Sequence, residues 1–143
     1  MKTPATDFEL GYLVLRLATG IDLLGHGAIR LFWNYQAFHS ALLKSFASSP
    51  LPEAVVTLTA RVVPPLELLL GLAVTAGWQM RRTLLVASGL MFAFILGSCL
   101  LQTWDIVGLQ LFYVLVYSVL LAFRKCNAFS LDRRVLSPPG QLK

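Results

Sequence analysis

Four apolar runs dominate this chain, at about 8–33, 54–77, 83–104 and 106–123. Each reaches or nears the roughly 20 residues that an α-helix needs to cross a bilayer. A soluble fold has no place for so many long apolar helices in 143 residues. Charged residues make up 13% of the sequence, where a soluble domain carries about 25%. The expected fold class is therefore an all-α membrane protein, a four-transmembrane-helix bundle forming one domain over 1–143. The first run is a poor cleaved signal peptide, because it is long and interrupted by charge.

Charge placement predicts the topology. Lys2, Arg81, Arg82, Arg124, Lys125, Arg133, Arg134 and Lys143 fall on one side of such a bundle, and Lys44 falls on the other. By the positive-inside tendency both termini are expected in the cytoplasm, with a polar tail over 124–143. Trp33, Trp78 and Trp104 sit at span ends, where an indole meets both lipid and water. This topology accounts for the basic balance, so nucleic acid is not an expected partner. Phe38, Leu42 and Phe46 recur every fourth residue between the first two spans. That spacing predicts a short amphipathic helix on the outer surface, ended by Ser48-Ser49-Pro50-Leu51-Pro52. Pro138-Pro139-Gly140 predicts an irregular chain end.

The first span carries Arg16, Asp22, His26 and Arg30. At about 100° per residue these share one face with Tyr12 and Thr19. Ionisable groups inside a membrane are costly, and they mark candidate functional sites. The second span carries Arg61, Glu67 and the pair Pro64-Pro65. Two adjacent prolines predict a kinked or unwound helix. Counting rise from the span ends places Asp22 and Glu67 near the midplane. It places His26, Arg61, Cys99 and Gln110 roughly 6–9 Å towards the outer side. Arg30 is shallower, and Arg16 lies in the inner half.

This convergence predicts a polar pocket in the outer half of the bundle. Asp22, His26 and Glu67 are its candidate catalytic residues. Arg61, Arg30, Gln110 and Cys99 are its candidate substrate-binding residues. Arg61 is the expected partner of Asp22 and Glu67, since unpaired charges in a low-dielectric bundle cost several kcal/mol. Tyr113 and Tyr117 extend the stripe of Gln110 on the fourth span. The same residues also fit a network that only specifies packing. Arg16 reads either as structural or as reaching to the inner interface.

Several chemistries lack their residues. Cys99 and Cys126 lie on opposite sides of the midplane, beyond disulfide reach. Two histidines and two cysteines supply no metal cluster, and there is no nucleotide-binding fingerprint. Redox work by this chain would need a partner subunit or a diffusible carrier such as quinone.

The ordered set Arg16, Gly25-His26-Gly27, Arg30-Leu31-Phe32, Pro65, Glu67, Gly71, Gly77, Arg81-Arg82 and Ser130-Leu131-Asp132-Arg133 resembles the DoxX-like family of small four-helix bacterial membrane proteins. The resemblance implies a multi-pass protein of the bacterial cytoplasmic membrane. It also implies a subunit of quinone-linked sulfur or thiol oxidation, of the thiosulfate:quinone oxidoreductase type. Quinone or a small anion would be the ligand, and the partners would be lipid, a redox subunit or a second copy. The residues leave two other readings open: a non-enzymatic scaffold or assembly factor, and a small transporter, against which the charge asymmetry argues.

Overall fold

A computed structural model describes residues 5–136; the Pro138-Pro139-Gly140 stretch lies outside them. Among the described residues every regular element is helical. The helices are α1 (Asp7–Ala28), α2 (Tyr35–Phe46), α3 (Glu53–Ala76), α4 (Met80–Leu100), α5 (Trp104–Ala122) and a short α6 (Leu131–Leu136). A π-helical segment, Ile29–Trp33, extends α1, and a 3₁₀ turn, Arg124–Cys126, follows α5. Three helices, α3, α4 and α5, are long and apolar enough to cross a membrane. Their bounds lie within a few residues of the expected spans, although Trp104 opens α5 rather than closing α4.

Lipid explains what these helices expose. Leu109, Leu111, Phe112 and Leu115 on α5 are each more than half exposed, and Leu58, Leu69 and Leu96 on α3 and α4 are similar. Water would penalise such a surface at roughly 25 cal/mol per Å²; hydrocarbon does not. The buried core is correspondingly thin. Leu23, Leu70, Val74, Met80, Leu84, Tyr117 and Leu120 form its centre.

The closest packing joins antiparallel α1 and α3. A Cβ added at Gly27 would run into the Leu68 backbone and lie 2.9 Å from the Pro64 carbonyl oxygen. One added at Gly71 would come within 2.5 Å of the Leu24 backbone nitrogen. Glycine removes the side chain that would hold the two backbones apart, which in lipid is the main route to strong helix contact. Gly20 meets Thr75 in the same way one step further along. The register of the pair is thereby set.

The prolines do not unwind α3. The helix runs from Glu53 to Ala76 through Pro64 and Pro65. Only two backbone donors are lost there, while the bonds on either side persist. Pro64 is itself buried in the contact with α1.

At the opposite end from α2, side chains close the turns. Thr6 and Glu9 form a capping box at the start of α1. Gly77 ends α3 with φ 68°, a left-handed conformation that suits glycine. Gln79 then adopts φ 44° at the entry to α4. Asp132 stabilises that entry, its carboxylate accepting from the Gln79 N–H at 2.6 Å and the Met80 N–H at 3.0 Å. The Ser130 hydroxyl accepts from the Arg133 N–H at 3.3 Å. The chain after α5 is thus folded back onto the α3–α4 turn.

Replacing Gly27 or Gly71 by valine should lower stability by about 3 kcal/mol or more, because overpacking here displaces backbone rather than side chain. Gly108→Ala, with nothing within 4 Å of its Cβ, should be neutral or slightly stabilising. Unfolding in mixed detergent micelles measures both.

Candidate functional site

The polar face of α1 divides into two parts. Tyr12, Arg16 and Thr19 are buried, whereas Asp22, His26 and Arg30 line a groove of about 480 Å³. Ile21, Ile29 and Phe38 supply its apolar wall, with Asn34 at the bend between the π-helical segment and α2. The groove is therefore amphipathic, with charge concentrated along α1.

Arg30 belongs to the π-helical segment, where an extra residue per turn re-aims side chains; such segments are frequent at functional sites. Its Nη1 donates to both carboxylate oxygens of Glu67, at 2.6 and 2.7 Å. The guanidinium also lies 4.9 Å from the centroid of the Phe38 ring, within cation–π range. The Glu67 side chain is 5% exposed and that of Arg30 27%. Both carboxylate contacts use one nitrogen, so the Nε and Nη2 donors stay available.

Beside this pair, His26 Nε2 lies 3.7 Å from an Asp22 carboxylate oxygen, one helical turn away. Both side chains are accessible, at 51% and 37%. On α5, Tyr117 is almost fully buried, and its hydroxyl has no hydrogen-bond partner among the described residues. The site thus combines an engaged cation–carboxylate pair and an imidazole beside a second carboxylate.

Arg61 is not the partner of Glu67. It is exposed, and no ion pair of it is present among the described residues. Six residues on one helix turn through about 600°, which leaves Arg61 and Glu67 on different faces. Arg30 fills the role because the glycine contacts bring its turn of α1 level with Glu67.

Depth matching also gathers residues that the fold separates. Gln110 donates to the Ser98 hydroxyl at 2.9 Å, linking α5 to α4, and it does not line the groove. Cys99 is half-buried on α4 and is not part of the groove either. Equal depth leaves a helix free to present a side chain on any azimuth. Ile21, Ile29, Asn34 and Phe38 are among the groove residues that sequence reasoning did not assign to the site. The apolar spacing that revealed α2 was the available signal for Phe38.

Arg16 neither joins the groove nor reaches outwards. It is 2% exposed, and its guanidinium donates to the Phe129 carbonyl at 2.7 Å and the Val74 carbonyl at 3.5 Å. It joins α1 to the last turn of α3 and to the segment after α5.

No family model matches this chain, and no curated protein or solved structure matches it.

Arg30→Met should destabilise by about 3–5 kcal/mol, since it leaves the buried Glu67 charge unpaired; Glu67→Gln should cost less, because Arg30 is partly exposed and keeps an amide acceptor. Arg30→Met combined with Glu67→Gln should cost clearly less than the two single changes together. Additive losses in a double-mutant cycle would show that the pair is uncoupled.

Proposed function

We propose that this chain is a four-pass protein of the DoxX type. In this reading α1 crosses the bacterial cytoplasmic membrane beside α3, α4 and α5, and both termini face the cytoplasm. At 22 residues α1 is about 33 Å long, enough to cross. Its inner charge is satisfied by carbonyls, and its outer charges border the groove. Arg81, Arg82, Arg124, Lys125 and Arg133 at one end oppose Lys44 on α2 at the other, which supports this orientation. The short helix α2 then lies on the outer surface.

Within that frame, the chain serves as a membrane subunit of quinone-linked sulfur or thiol oxidation. The observation that carries this reading is the Arg30–Glu67 pair with spare guanidinium donors, set beside His26 and Asp22 in an amphipathic groove. A quinone head has carbonyl oxygens on an apolar ring, and a small sulfur anion has negative oxygens. Nε and Nη2 of Arg30 can donate to either. Phe38 and Ile29 suit the ring and limit water on that side. A quinone supplies the electron acceptor: two thiosulfate ions joining through a new sulfur–sulfur bond release two electrons, which with two protons yield quinol. His26 is the group suited to pass a proton at Nε2, which lies 3.7 Å from the Asp22 carboxylate.

A structural reading has its own support. Glu67 and Arg16 are both buried with their partners already in place, as expected of a scaffold whose polar groups specify helix register. Purification from native membranes separates the two: copurifying redox subunits or bound quinone support the oxidoreductase, and a lone bundle with neither supports the scaffold.

His26→Ala should leave melting unchanged, because the side chain is half-exposed, and should lower quinone reduction at least tenfold, as loss of a proton-transfer group does. Unchanged turnover would sink the catalytic assignment. In a cysteine-free background, Ser40→Cys should react with an impermeant maleimide added outside. Ala128→Cys should react only after permeabilisation.

A further inference from the structure

A second cleft, of about 580 Å³, opens where α1 begins and α5 ends. Arg124, Lys125, Arg133, Glu9, Asp132 and Asn127 are among its lining residues. Its two carboxylates are already engaged. Asp132 accepts from two backbone N–H groups, and Glu9 accepts from the Thr6 N–H at 2.9 Å with Arg133 at 3.7 Å. Arg124 and Lys125 have no ion-pair partner among the described residues.

Behind the wall stands Arg16. It donates to the Phe129 carbonyl, and its guanidinium packs at Gly77 beside Ser130, which also lines the cleft. No carboxylate lies within 4 Å of it among the described residues. Its Nε, the neighbouring Tyr12 hydroxyl and the Asn127 Oδ1 are buried without partners among the described residues. Tyr12 is 5% exposed and Arg16 2%. Four cations, one of them shielded from water, thus face two occupied carboxylates, and the local field favours an anion.

The surroundings indicate its source. Phe123, Phe129 and Leu131, neighbours in sequence of the lining residues, are about half exposed. Trp78, also half-exposed, marks the same end of the helices. Apolar side chains beside unpaired cations, at the end of helices that reach across lipid, match the boundary between acyl chains and headgroups.

We infer that this cleft binds the phosphodiester headgroup of an anionic phospholipid. Arg124 and Lys125 contact the phosphate, the buried Arg16 adds long-range attraction, and Phe123 and Phe129 lie along the acyl chains. This site is separate from the Arg30–Glu67 groove and does not depend on the redox reading.

The full chain, purified in a neutral detergent and stripped of lipid, tests it by native mass spectrometry. Phosphatidylglycerol and phosphatidylcholine with identical acyl chains are the probes. Phosphatidylglycerol should bind about tenfold more tightly, and Arg124→Gln with Lys125→Gln should abolish the preference. Helical content and melting of the variant in phosphatidylcholine should match the parent. If the double variant misfolds, Lys125→Gln alone, at an exposed position, carries the comparison, with a smaller loss expected. Equal binding of the two lipids by the parent, or a preference that survives these substitutions, would overturn the proposal. So would complete displacement of phosphatidylglycerol by millimolar inorganic phosphate, which would identify an aqueous anion site instead.

Discussion

The close approach of α1 and α3 at Gly20, Gly27 and Gly71 governs the rest of the structure. Association in lipid gains little from the hydrophobic effect, so contact depends on how near two backbones come. Here the absence of three side chains lets the helices meet along much of their length. That contact fixes an antiparallel register to within a residue. Register in turn decides which charges meet: Arg30 stands level with Glu67 at one end, and Arg16 reaches the last turn of α3 at the other.

The two ends use their charge differently. Near α2, the π-helical turn carries Arg30 into an ion pair that leaves donors free, and the adjoining imidazole and carboxylate stay accessible. At the opposite end, Arg16 is committed to backbone carbonyls, and Asp132 is committed to the N-terminus of α4. The first arrangement suits exchange with a ligand. The second suits fixing a turn, with a residual positive field over the cleft beside it.

Polar residues on α5 have a smaller part than their number suggests. Gln110 ties α5 to Ser98, and Tyr117 fills the core with an unpartnered hydroxyl. An unpaired buried hydroxyl typically costs about 1–3 kcal/mol.

Helical class, the apolar helices and the polar face of α1 were legible from the sequence, because each depends on local composition and a 3.6-residue period. The short helix after α1 was legible for the same reason: Phe38, Leu42 and Phe46 repeat close to that period. Tertiary structure alone decided the partners. Depth along a helix follows from counting residues, but azimuth and register depend on which glycines face which backbone. Arg61 and Glu67 are close in sequence yet on different faces, while Arg30 and Glu67 are distant in sequence and meet at 2.6 Å. Cys99 and Gln110 share the depth of the groove without facing it. The sequence by itself therefore determined that charged groups are carried inside long apolar helices. The packing of α1 against α3 decided which of them form a site.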